Sequence, residues 1–229
     1  MKRLLLSLLR WSPIARPSTE SNQPKNYFTQ VYLENSWGGE VSRSGPGSEG
    51  AFAAQKVDLI RETMAYTAAS SILDLGCGDF HWMKEIITAT HRYHGVDVVN
   101  KLVKKNKKQF GGPNISFQCL DLSDPAEQRR LSLRQADLVV CLDVIGHLLN
   151  NEVNSLLRFI FYDIAAKFFL VSNRREAGSG DYLRREKTRL EGIDIEQHPL
   201  FIDRHPKRVK QFPALYPNDV FDLYDLTNK

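Results

Sequence analysis

The sequence predicts an α/β fold, a doubly wound and mostly parallel sheet with helices on both faces. Three observations carry that expectation. Short runs rich in Val, Ile and Leu alternate with longer amphipathic stretches, the first such run closes on Gly76 and Gly78, and carboxylates stand at the ends of successive runs. A chain of 229 residues holds one domain of this kind. Its 42% hydrophobic, 25% charged and 10% aromatic residues exclude a largely disordered polymer.

The start, MKRLLLSLLRWSPIARP, places Lys2 and Arg3 before the apolar stretch Leu4 to Leu9. That stretch is too short for a signal-peptide core, is interrupted by Arg10, lacks a small-residue cleavage site and cannot span a bilayer. As a helix, Met1 to Trp11 would be basic and apolar, suited to a membrane surface or a partner protein; as a terminus it is a frayed tail. Ser12 to Lys25, rich in Pro, Ser, Asn and Gln, is a linker. Folded structure is expected to start near Tyr27, which gives an extension over residues 1–26 and one domain over 27–229.

Trp37 to Gly50, WGGEVSRSGPGSEG, is a loop by composition, with an Arg embedded. Ala51 to Ala69 has helical spacing through Phe52, Val57, Ile60 and Met64. Strands are expected at Ser71 to Leu75, Tyr93 to Val98, Ile115 to Leu120, Ala136 to Leu142 and Lys167 to Ser172. Helices are expected between them, at Phe80 to Thr90, Asn100 to Phe110, Pro125 to Leu133 and Asn151 to Ile164. The lysine-rich run Lys101 to Lys108 is most simply a solvated helix face, the alternative being contact with an anionic glycan, lipid head group or phosphate. After Ser172 the chain turns polar, and Asp219 to Leu226 is expected to return as a strand at the sheet edge.

The net charge of +4 comes without a clustered basic face, so no nucleic-acid partner is expected. Cys77, Cys119 and Cys141 are odd in number and sit in or at the ends of apolar runs. They suit buried free thiols in a reducing compartment, here the cytoplasm, without a disulfide framework or a paired-cysteine metal pattern. The tail segment DIEQHPLFIDRHP gathers Asp194, His198, Asp203 and His205. Nothing in its spacing fixes two of these on one face, so a solvated loop is expected and no metal site.

In a doubly wound sheet the ligand sits beyond the carboxyl ends of the strands, and the first turn must let backbone approach it. Gly76 and Gly78 suit that turn. Asp74 and Asp79 flank it with carboxylates, which a dinucleotide pyrophosphate would meet unfavourably. His81 and Trp82 stand where a dinucleotide fingerprint wants a third glycine. Asp97 ends the next strand about 20 residues on, where this fold places a carboxylate on ribose hydroxyls. Asp121 follows the third strand, within reach of an adenine amino group.

The runs ILDLGCGDF, GVDVV, CLDLSD and ADLVVCLDVIGHL resemble successive motifs of the class I S-adenosylmethionine-dependent methyltransferases, over roughly Ala69 to Asn173. WGGEVSRSGPGS and GDFHWM are similar to a bacterial subgroup, of which some members act on glycans or secondary metabolites. The resemblance implies a seven-stranded Rossmann-like sheet and S-adenosylmethionine as cofactor. Gly76, Cys77 and Gly78 would then pass under the methionine part, with Asp74 on its amino group directly or through water. Asp97 and Val98 would bind ribose, and Asp121 and Leu122 would frame the adenine, with Leu142 completing the site. Arg43 is expected to fold over and pair with the methionine carboxylate, a strong bidentate contact.

Methyl transfer requires an aligned nucleophile, exclusion of water and sometimes a base. Asp143 and His147 stand four residues apart in CLDVIGHL; a helix starting near Asp143 would put them on one face, His147 as base and Asp143 orienting it. Trp82 offers a ring to a sulfonium or to the acceptor. The expected reaction is methylation of an oxygen, less readily a nitrogen, of a small molecule or saccharide. Two alternatives are a non-catalytic cofactor-binding scaffold and a nicotinamide-dependent oxidoreductase, the latter disfavoured by the missing glycine and by Asp79.

Overall fold

The computed structural model describes residues 24–174, 193, 195–196, 206–216 and 218–227. The basic start Met1 to Trp11 and the cluster Asp194, His198, Asp203 and His205 lie outside the described residues. Seven strands form one sheet: β1 (Ser71–Leu75), β2 (Arg92–Asp97), β3 (Ile115–Cys119), β4 (Gln135–Cys141), β5 (Ala165–Arg174), β6 (Lys207–Pro213) and β7 (Asp219–Asp225). Their order is β3-β2-β1-β4-β5-β7-β6; the first five run parallel, and β7 lies antiparallel between β5 and β6. β1 is buried along its whole length, as a central strand covered on both faces must be.

Two cores flank the sheet, and the alternation of side chains along β1 sends Ile72 into one and Leu73 into the other. Ile60 of α2 (Gly50–Thr67) and Leu102 and Val103 of α3 (Asn100–Phe110) pack on Ile72, Tyr93 and Leu138. On the opposite face Val153, Leu156 and Leu157 of α5 (Asn150–Arg158) meet Leu73, Val139 and Phe169. The short α4 (Pro125–Gln128) is capped by Asp124, whose side chain accepts the Ala126 N–H at 2.8 Å.

Three expectations are corrected. Phe80 to Thr90 forms only a 3-10 turn at Met83–Glu85, because Phe80 takes a left-handed φ of 59° and β-branched Ile86, Ile87 and Thr88 follow. Phe80, Met83, Ile86 and Ile87 instead tuck inward, and Phe80 packs beside Tyr93, Phe110 and Phe117. The helix expected to Leu133 stops at Gln128, whose buried side chain turns back to donate to Leu122 O at 2.7 Å. Asp219–Asp225 is an inner strand; the edge belongs to β6, whose Lys207, Arg208 and Lys210 suit an edge that resists further pairing. Helix α1 (Pro24–Glu34), absent from the sequence reading, begins ahead of Tyr27 and packs beside α3.

Candidate active site

β1 stands between β2 and β4, where the connections change direction and the strand ends leave a crevice. The chain leaves β1 through Gly76 and Gly78, with φ of 84° and 54°. A Cβ on Gly76 would overlap Val144 Cγ2, and one on Gly78 would overlap Ser44 Oγ. The Gly76 and Cys77 N–H groups donate to Val96 O at 2.8 and 3.0 Å. Gly78 N–H donates to Asp97 Oδ2 at 3.0 Å, and the Asn106 amide of α3 donates to Gly78 O at 2.8 Å. Asp97 Oδ1 accepts the Val99 N–H at 2.9 Å. Burial raises the Asp97 carboxyl above its ordinary range, against the pull of these backbone donors.

After β3, Asp121 Oδ1 accepts the Ser123 N–H at 3.0 Å and hydroxyl at 2.6 Å, which sets its turn. Gly76, Cys77, Gly78, Asp97, Asp121 and Leu122 all line one cavity of about 1090 Å³. Val98 and Leu142 line it as well, and it continues past the ends of β4, β5 and β7.

Asp74 does not share this wall. It is 3% exposed and accepts the Tyr93 hydroxyl at 2.6 Å inside the core. Burial raises its pKa to about 7, opposed by the Tyr93 hydrogen bond. Of the two expected contacts with a methionine amino group, direct or through water, this burial leaves no room for the direct one: Asp74 fixes Tyr93 beneath the loop. A folded pKa of about 7 against an unfolded 3.8 means the native state holds the extra proton between those values, so this group lowers stability as pH rises from about 4 to 7. Asp74→Asn, which keeps a carbonyl for Tyr93, is expected to remove that decline. Urea melts at pH 5 and 8 check it; an unchanged difference between the two pH values would contradict the assignment.

Arg43 lines the cavity, with its guanidinium 3.3 and 3.4 Å from the Tyr32 and Leu33 carbonyls at the end of α1. Its backbone N–H donates to Asp79 Oδ2 at 3.0 Å, while the Ser42 and Ser44 hydroxyls donate to Asp79 Oδ1 at 3.1 and 3.4 Å. Asp79 thus straps the Ser-Arg-Ser segment onto the glycine loop. Glu49 Oε1 braces the same segment, accepting the Val41 and Ser42 N–H groups at 2.6 and 2.5 Å.

Beyond β4, Asp143 takes a φ of 57°, and its N–H donates to Ser172 Oγ at 2.7 Å. No helix starts there; the chain forms a 3-10 turn at Ile145–His147 instead. The expected alignment of Asp143 with His147 is corrected accordingly. The Asp143 carboxylate, 52% exposed, pairs with the buried Lys56 ammonium, which also donates to Gly47 O at 2.7 Å. Lys56 lines the cavity and was not among the sequence candidates, hidden at an inward position of α2 among apolar neighbours. Its ammonium lies 5.9 Å from the Trp82 ring centre.

His147 is oriented by rings, with centroids 5.5 Å from Trp37 and 6.1 Å from Phe28. Burial lowers its pKa, with Asp143 pulling the other way. Among the described residues no group of three His, Cys, Asp or Glu side chains is placed to hold a metal, and no helix is long and apolar enough to cross a membrane.

Residues 72–162 match a family model described as "Methyltransferase domain". No curated protein matches the chain. Among solved structures, the fold is similar to magnesium protoporphyrin IX methyltransferase (ChlM) from Synechocystis PCC 6803 with bound SAM, at 14% identity and a TM-score of 0.59, over 93% of this chain and 99% of that one. It is similar to Burkholderia thailandensis 1,6-didemethyltoxoflavin-N1-methyltransferase, at 16% identity and a TM-score of 0.62, over 93% and 92%. The N-methyltransferase NodS from Bradyrhizobium japonicum WM9 matches at 15% identity and a TM-score of 0.56, over 78% and 98%.

Proposed function

We propose that this S-adenosylmethionine-dependent methyltransferase acts on an oxygen, in preference to a nitrogen, of a small molecule. The observation that carries the reading is Asp97, fixed through both oxygens beneath a left-handed glycine loop at the switch point of the sheet. A carboxylate has about four acceptor positions, so two backbone donors leave capacity for a ribose diol. The residues fit the cofactor: Asp97 and Val98 would hold its ribose, Asp121, Leu122 and Leu142 its adenine, and Gly76 to Gly78 the methionine part. Arg43, on the cavity wall, would meet the methionine carboxylate. When bound, S-adenosylmethionine supplies a sulfonium methyl group that passes to the acceptor oxygen while the C–S electron pair stays on sulfur.

The chain itself must then hold the acceptor, exclude water and receive the hydroxyl proton. His147 is suited to the last task, because burial keeps its ring neutral near pH 7 and Trp37 and Phe28 fix its plane. Asp143 holds Lys56 and through it the Gly47 turn, so it acts as a positioning residue.

The test is mass-spectrometric detection of methyl transfer into a panel of small hydroxylated and amino compounds. The expected products are methyl ethers, formed at least about 100-fold more slowly by His147→Phe, the usual share of a general base. S-adenosylhomocysteine affinity should change less than about twofold in that variant. The rate should also rise with pH with its midpoint below the ordinary imidazole value of 6.5, because the neutral ring is the working form and its pKa is lowered. N-methylated products, or full activity in His147→Phe, would overturn this assignment.

A further inference from the structure

The strand order divides the crevice. The glycine loop, Asp97 and Asp121 occupy the ends of β1, β2 and β3, which leaves the acceptor the region over β4, β5 and β7, walled by α2 and the turn between β6 and β7. In that region several polar side chains of the described residues are already engaged. Both amide atoms of Gln55 pin the β6–β7 turn, donating to Pro213 O and accepting the Leu215 N–H, each at 3.0 Å. The Asn173 amide donates to Ile193 O at 2.9 Å and to Asp222 at 3.2 Å, and its oxygen accepts the Ile193 N–H at 3.0 Å. Ser172 Oγ accepts the Asp143 N–H, and Lys56 spends two of its three protons on Gly47 and Asp143.

The open surface of the same region is aromatic and aliphatic. The Phe52 and Tyr216 rings lie parallel, with centroids 4.4 Å apart and planes at 11°. Tyr216 and Leu215 are 48% and 49% exposed although both line the cavity. At its inner end the exposed Asp143 carboxylate meets Lys56, and the His147 ring lines the same cavity.

We infer that the acceptor is a hydroxyarene, a flat aromatic ring bearing the hydroxyl that is methylated, stacked on the Phe52–Tyr216 pair with its oxygen at the Asp143–Lys56 end; the inference rests on the methyltransferase reading above. A saccharide buried here would set most of its hydroxyls against the Phe52 and Tyr216 rings and Leu215, and unpaired hydroxyls in such a site are costly. A flat ring loses only apolar hydration and gains a face for offset stacking.

The experiment saturates the full chain with S-adenosylhomocysteine and titrates it with 2-naphthol, then separately with methyl β-D-glucoside, by calorimetry. The expected result is saturable binding of 2-naphthol and none of the glucoside. Tyr216→Ala should weaken 2-naphthol at least about tenfold, Tyr216→Phe should keep it within about twofold, and both should leave S-adenosylhomocysteine affinity unchanged. Binding of the glucoside, no binding of 2-naphthol, or 2-naphthol binding indifferent to Tyr216→Ala would overturn the inference. Failure of S-adenosylhomocysteine itself to bind would instead overturn the methyltransferase reading, and the acceptor class with it.

Discussion

Asp97→Asn is expected to weaken S-adenosylhomocysteine binding by about 10- to 100-fold, the worth of a hydrogen-bonded charge directed at a ligand diol. The substitution keeps the shape of the side chain but replaces one acceptor oxygen with an N–H₂ group. Asp97 Oδ2 and Oδ1 accept from Gly78 and Val99. An amide at this position can satisfy only one of those donors and opposes its own hydrogens to the other. The glycine loop therefore loses an anchor at the same moment that the ribose loses an acceptor. The remaining ties, from Val96 O to Gly76 and Cys77 and from Asn106 to Gly78, stay in place, so the fold should persist. Calorimetry on the folded variant checks this. An affinity within twofold of the unsubstituted chain would remove Asp97 from the cofactor site.

Gly76→Ala is expected to destabilise the fold by about 3 kcal/mol from two separable sources. A φ of 84° costs any residue with a Cβ about 1–2 kcal/mol. The rest comes from overlap with Val144 Cγ2, a side chain packed against the core under α5 and therefore slow to yield. Val144→Ala removes the overlapped methyl but leaves the backbone strain. In a double-mutant cycle by urea unfolding, Gly76→Ala should therefore cost about 1 kcal/mol less in the Val144→Ala background. An identical cost in both backgrounds would show that the loop moves away from Val144 rather than pressing on it.

The parts of this molecule that were legible in sequence are those where local pattern and tertiary demand agree. β1, β4 and β5 contain apolar runs buried on both faces, and α3, Asn100–Phe110, carries its core residues Leu102 and Val103 within an otherwise lysine-rich surface. The glycine loop was legible because Gly76 and Gly78 alternate with Asp74, Cys77 and Asp79 after such a run. What was not legible depends on partners distant in the chain. Asp74 and Asp79 look alike as acids beside a turn, yet one faces Tyr93 in the core and the other gathers Ser42, Arg43 and Ser44 from a loop 35 or more residues upstream. Lys56 falls on an inward face of α2, where periodicity expects an apolar side chain, and only Asp143, 87 residues on, explains its charge. The spacing of Asp143 and His147 suggested a shared helical face, but that inference assumes helical φ at Asp143 and the residue is left-handed. β6 reads as a charged segment because one of its edges has no strand partner, so no continuous apolar run is required of it.

The proposed donor is a sulfonium cofactor that Asp97 at the end of β2 would hold, rather than a pyrophosphate at a helix N-terminus. Calorimetric titration of the unsubstituted chain with S-adenosylhomocysteine and, in parallel, with NAD tests it directly. The predicted result is stoichiometric binding of S-adenosylhomocysteine with no heat from NAD, and binding of NAD in place of S-adenosylhomocysteine would contradict it.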